Sequence, residues 1–169
     1  NEKMPVEIPT VFESLKVSAP SSMDVQYAKG CDVSSKDQSG FAEAVELARV
    51  SDVAVVVLGH KSGLAYDCTT GEFRDSTDLG LPGAQAELLQ AILEAGKPVV
   101  LVLINGRPLS IPGFVEAANA VLEAWVPGEE GAVAIASALL GELNPGGKLP
   151  VSIARSVGQV PVFYNYKPS

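Results

Sequence analysis

Basic residues are scarce in this sequence. Twelve Lys and Arg stand against twenty Asp and Glu, for a net charge of −8. The acids are spread along the chain rather than gathered in a block. A nucleic-acid partner needs a basic face, so that class is excluded, as is adhesion to an anionic membrane. Histidine occurs once, at His60, and cysteine twice, at Cys31 and Cys68. So few ligating residues, none at zinc spacing, exclude a local metal clip, and two cysteines do not make a disulfide framework. The sequence leaves open whether they pair. No apolar run approaches the ~20 residues of a membrane span. No strand is followed by G-x-G-x-x-G, and no G-x-S-x-G elbow is present. Glu142–Lys148 (ELNPGGK) faintly echoes a phosphate loop. Its first glycine is misplaced, Leu149 stands where Ser or Thr should hold magnesium, and a strand is expected to follow in place of a helix.

What is present reads as an ordinary globular α/β chain. Apolar residues make up 47% of the 169, enough for one domain with a single core. Residues 1–9 are a polar, Pro-punctuated lead-in, and 10–169 the domain. Thr10 and Glu13 have capping-box spacing, which predicts a helix over Val11–Val17. Met23–Ala28 alternates and predicts a strand. A helical stripe follows from Phe41 to Arg49. Val53–Leu58 (VAVVVL) and Pro98–Ile104 (PVVLVLI) are continuous branched runs, the pattern of parallel strands buried on both faces. Helices are expected over Gly83–Ala95, Phe114–Ala118 and Glu130–Leu140. Further strands are expected at Ala120–Ala124 and, as an edge strand because of Pro150, at Leu149–Ile153. This alternation implies a mostly parallel sheet with helices packed on it. In such sheets, sites lie beyond the carboxyl ends of the strands.

One long loop, Gly59–Pro82, leaves such an end. It holds His60, Cys68, Asp67, Glu72, Arg74, Asp75 and Asp78. A connection this long inside a compact domain is usually functional or disordered. His60 can act as a base or ligand, but a lone loop histidine is more often structural or exposed. Cys68 can act as a nucleophile, although Asp67 beside it opposes the thiolate. Glu72 stands near a glycine, an aromatic, a cation and a second acid, Asp75; a carboxyl beside an apolar wall and another acid can have a raised pKa, which suits a general acid. Trp125, with Glu129 and Glu130 beyond it, can form a sugar platform, although a core or interface Trp is the preferred reading. From composition alone the loop reads as solvated and salt-bridged.

Four stretches together change that reading: Gly71–Gly83 (GEFRDSTDLGLPG), Val100–Pro108 (VLVLINGRP), Val121–Gly131 (VLEAWVPGEEG) and Asn144–Asn165 (NPGGKLPVSIARSVGQVPVFYN). In order and spacing they resemble the second domain of glycoside hydrolase family 3, the β-glucosidase and β-xylosidase group, over residues 10 to 169. The resemblance implies an α/β sandwich of about six strands between helices. It also implies a preceding (β/α)₈ barrel that supplies the nucleophilic aspartate, so the chain is expected to be a piece of a larger protein. The loop Gly59–Pro82 would line the site. The family pattern GE-G-x-DR-x-x-L-x-LP places the general acid/base on Glu72, with Asp67 as the reserve candidate. Asp75, Leu79, Leu81 and Pro82 also match. Phe73 stands where glycine is common and Ser76 where arginine is common; Arg74 can take over the anchoring role.

The implied reaction is retaining hydrolysis of terminal β-glucosides or β-xylosides, with two carboxyl groups ~5–5.5 Å apart and neither metal nor cofactor. The chain is far shorter than the ~250 residues of a barrel, so alone it is expected to be inactive. A secreted or periplasmic setting is favoured over a cytoplasmic one. The alternatives are a non-catalytic carbohydrate-binding or scaffolding domain and an unrelated flavodoxin-like ligand binder; the Asn144–Asn165 pattern weighs against the last.

Overall fold

The computed structural model describes residues 8–165 and Lys167. Residues 1–7 of the expected lead-in lie outside that range, as do Tyr166, Pro168 and Ser169. The chain divides into two compact units, Asn1–Tyr27 with Pro127–Lys148, and Ala28–Val126 with Leu149–Ser169.

The first unit pairs helix α1 (Val11–Ser18) with α5 (Gly131–Leu139). The capping box forms: the Thr10 hydroxyl accepts from the Glu13 N–H at 3.2 Å, and the Glu13 carboxylate accepts from the Thr10 N–H at 2.7 Å. Two of the helix's orphan donors are thereby satisfied reciprocally. The Thr10 N–H, and after it the Thr10 hydroxyl donating to the same carboxylate at 2.8 Å, hold the Glu13 carboxyl below the usual carboxylate range. Small residues on α5 leave Ala132, Ile135 and Ala136 buried. Phe12 stacks obliquely on Tyr27 at 5.1 Å, with the Lys16 ammonium 5.5 Å from the Phe12 ring.

The second unit holds the sheet. Strands β1 (Ala54–Gly59), β2 (Val99–Ile104) and β3 (Ala120–Trp125) run parallel in the order β1-β2-β3. Val56, Leu101 and Val121 share one register row. Helix α2 (Phe41–Val50) precedes β1, and helices α3 (Gln85–Leu93) and α4 (Pro112–Ala117) connect β1 to β2 and β2 to β3. One face of the sheet, Val56, Leu58, Val99, Leu101 and Leu103, packs on Ala44 and Ala48 of α2 and on Leu88, Leu89 and Ile92 of α3. Burying each large aliphatic side chain there contributes about 1.5–3 kcal/mol.

The sheet has three strands among the described residues, not six. Met23–Ala28 and Leu149–Ile153 form no ladder. Alternation marks a strand only where a neighbour supplies paired N–H and C=O groups, and no backbone bond of that kind reaches either segment. The expectation that β1 is buried on both faces also needs correction. Val55 and Val57 are 39% and 42% exposed, because they point to the face opposite Val56 and Leu58, and α2 and α3 pack only on the latter. Central β2 does have both faces buried, with Val99, Leu101 and Val102 at 0%.

Candidate functional site

The carboxyl ends of β1 and β2 lie side by side, and the long loop starts there. Gly59 pairs with Ile104. At φ 140° a Cβ on Gly59 would lie 2.0 Å from the Ile104 carbonyl oxygen, so only glycine fits. The His60 N–H extends the ladder by donating to that oxygen at 2.8 Å. Gln85, at the first turn of α3 and almost fully buried, completes the junction. Its Oε1 accepts from the Gly59 N–H at 2.7 Å, and its Nε2 donates to the carbonyls of Gly59 (2.8 Å) and Val33 (2.7 Å).

Beyond His60 the loop folds back on itself. The Thr69 N–H donates to the Lys61 carbonyl (2.8 Å), the Lys61 N–H to the Thr69 hydroxyl (3.0 Å), and the Gly63 N–H to the Thr70 carbonyl (3.0 Å). The Ser62 and Thr70 hydroxyls meet at 2.5 Å. Gly106 lets this pair approach the β2 turn, since a Cβ there would sit 2.5 Å from Ser62 Oγ and 2.8 Å from Thr70 Oγ1. Lys61 pairs with Asp67. Leu64 and Tyr66 at the tip are exposed.

Glu72 occupies the second position of a four-residue turn closed by the Arg74 N–H donating to the Gly71 carbonyl at 3.2 Å. The third position, Phe73, has φ 59°. A turn with a positive φ at that position favours glycine. This is the physical reason a glycine suits the place where this sequence carries Phe73. The Phe73 ring is 84% exposed. Glu72 is exposed, and among the described residues its carboxylate has no hydrogen bond or ion pair. Asp67 differs, because its bond to Lys61 draws its carboxyl below the usual range and raises the Lys61 ammonium in turn.

Beyond the turn, the Leu79 carbonyl accepts from the Ser110 N–H at 2.7 Å and Leu81 packs against the core. Asp78 is absorbed by its own turn, accepting from the Gly80 N–H at 3.0 Å; Asp75 is exposed.

The other candidates sort by environment. His60 is half-buried with an unpartnered Nδ1. Burial, then the nearby Arg107 cation, pull its pKa below the ordinary imidazole value, so the ring is neutral at pH 7. Cys68 is a buried free thiol and Cys31 a half-buried one, its pKa raised mainly by burial and further by Asp32 and Glu87. Trp125 ends β3 at φ 53°, next to a bulge where Ile104 pairs with Trp125 while Leu103 pairs with Glu123. Its carbonyl accepts from the Asn105 N–H at 2.9 Å. Glu123 accepts from the Trp125 N–H at 3.0 Å, and burial raises its carboxyl pKa against that bond. Glu129 and Glu130 are exposed. Among the described residues no group of three or more His, Cys, Asp or Glu is placed to hold a metal, and no helix is long and apolar enough to cross a membrane.

Sequence patterns did not single out Gln85, Asn105 or Arg107 as individual residues. Arg107 donates through Nη2 to the Arg74 carbonyl, and the Asn105 amide donates to the Arg107 carbonyl at 2.9 Å. The available signal was an amide facing the apolar stripe of α3 and a polar residue directly after a buried strand.

The glycosyl hydrolase family 3 C-terminal domain matches residues 4–169. The chain belongs to that family. A β-xylosidase from Formosa agariphila is 45% identical over 161 residues, covering 94% of this chain and 21% of its own length. A periplasmic β-glucosidase from Salmonella typhimurium is 36% identical, covering 93% of this chain and 22% of its own. The solved structure of a β-glucosidase from Erythrobacter marinus superposes with a TM-score of 0.80 at 38% identity, over 96% of this chain and 25% of that one. This family 3 domain thus spans about a fifth of the length of the curated relatives it matches, which implies another domain in those proteins.

Proposed function

We propose that this family 3 domain supplies the acid/base carboxylate of a retaining β-glycosidase acting on terminal β-glucosides or β-xylosides. Its nucleophile would come from a (β/α)₈ barrel elsewhere in the enzyme. The observation that carries the reading is the Gly71–Arg74 turn. It presents Glu72 with its carboxylate free, on a loop leaving the carboxyl end of a parallel strand. The Lys61 ammonium holds Asp67 ionised, and a group held ionised is poorly suited to donate a proton, which disfavours Asp67 as the acid. The name of the Salmonella relative supports a periplasmic setting for this chain as well.

In the proposed reaction, the barrel carboxylate attacks the anomeric carbon as Glu72 protonates the leaving oxygen. Glu72 then takes a proton from water as the glycosyl–enzyme bond breaks. The test is Glu72→Gln in the enzyme that carries this domain. Turnover of glycosides with poor leaving groups should fall about a hundredfold or more, the usual worth of a general acid. Activated aryl glycosides should suffer far less, with azide restoring part of their turnover. Small, equal losses on both substrate types would sink the assignment. The purified 169-residue chain, assayed alone, should release no aglycone above blank.

A further inference from the structure

We propose that Arg107 and Arg74 act in series as positioning residues for Glu72; this rests on the acid/base reading above. The series starts in the sheet. Asn105 is 1% exposed at the end of β2. Its N–H donates to the Trp125 carbonyl and its amide to the Arg107 carbonyl, both at 2.9 Å. The Arg107 backbone is therefore fixed to the two neighbouring strands β2 and β3.

From there the Arg107 guanidinium grips the Arg74 carbonyl. Arg74 is the last residue of the turn that has Glu72 at its second position, so Arg107 holds the turn from its exit side. The Arg74 side chain then holds the opposite limb of the loop. Its Nε donates to the Cys68 carbonyl at 3.1 Å and its Nη2 to the Ala65 carbonyl at 3.0 Å. Nη1 donates to the Phe73 carbonyl at 3.1 Å, across the strained residue. Each guanidinium nitrogen of Arg74 thus has a backbone acceptor, and the three acceptors bracket Glu72 on both sides in sequence.

The pattern needs a planar fork. A lysine at Arg74 offers one flexible ammonium and cannot serve three carbonyls spread over Ala65, Cys68 and Phe73 at once. Arg107 is needed for a second reason: without it the Arg74 carbonyl loses the charged donor that ties the exit of the turn to the end of β2. This arrangement also accounts for Ser76, which stands where the family pattern carries arginine. Arg74, two residues earlier, already provides the cross-brace. A general acid works only within hydrogen-bond reach of its oxygen, and misplacement by about 1 Å can cost a hundredfold.

The experiment compares Arg107→Ala, Arg107→Lys and Arg74→Lys with Glu72→Gln, in the enzyme that carries this domain. Two readouts are taken: amide hydrogen exchange across Ser62–Arg74, and turnover against leaving-group acidity. Arg107→Ala should speed exchange at Cys68, Thr70 and Arg74 about tenfold, the expected result of losing one charged hydrogen bond. Strand amides of β1 and β2 should stay unchanged. It should also depress turnover of poor leaving groups about tenfold or more at unaltered KM, while activated substrates change little. Arg107→Lys should recover part of both effects, whereas Arg74→Lys, with Arg107 intact, should itself show both the faster loop exchange and the selective loss on poor leaving groups. Unchanged loop exchange in Arg107→Ala, or a loss equal for all leaving groups, overturns the proposal. If Glu72→Gln itself shows no leaving-group dependence, the acid/base reading fails. Faster loop exchange in Arg107→Ala would in that case still support the brace.

Discussion

Phe73 shows how much one residue's backbone can reveal. A left-handed conformation costs an L-residue with a Cβ about 1–2 kcal/mol, and Phe73 holds φ 59° with its ring in solvent. Phe73→Gly should leave folding stability level or higher, since relief of that strain offsets the greater freedom glycine gains on unfolding. Phe73→Val should lower stability by about 1–2 kcal/mol, because a β-branched residue fits this region worst. Urea midpoints of the two variants check the ordering. At this scale, legibility depended on whether a role was local. Thr10 and Glu13 could be read from spacing because they bond each other. Glu72 could be placed on the loop, but its freedom from partners and the pairing of Asp67 with Lys61 needed coordinates. Arg107 acts across 33 residues of chain, on Arg74, and Asn105 reaches from the end of β2 to Trp125 at the end of β3; no periodicity records that.

At the scale of elements, the helices and the three strands of the sheet fall within a few residues of where apolar periodicity put them. Branched runs such as Val99–Ile104 have few other places to go. The two segments that failed, Met23–Ala28 and Leu149–Ile153, have strand-like composition. A ladder, however, belongs to a pair of segments, and their own residues do not supply the partner. Junctions between elements were the least visible part. Gln85 joins α3 to the end of β1 through both backbone groups of Gly59. Gln85→Leu keeps the apolar stripe of α3 but leaves that N–H and C=O unpaired. The expected cost is about 1–3 kcal/mol, read from the denaturation midpoint, with faster exchange at Gly59 and His60.

For the whole molecule, two half-buried groups of opposite sign contribute to the dependence of stability on pH. His60 has a lowered pKa, by burial first and then Arg107. The unfolded chain therefore binds its proton more readily, and stability is lost as pH falls below about 6.5. Glu123 has a raised pKa, by burial. Here the folded chain binds the proton more readily, so this carboxyl withdraws stability as pH rises from about 4.5. Chemical denaturation at a series of pH values should show His60→Gln flattening the first slope and Glu123→Gln the second.

Trp125 gives this molecule a reporter of its own. It is the sole tryptophan in the chain, half-buried at the end of β3, with its carbonyl bonded to Asn105. Indole emission excited at the red edge therefore comes from one known place, the rim of the sheet on which the Arg107–Arg74 brace is built. A shift in its colour or quenching when another domain or a sugar arrives would report on that rim alone, without any label.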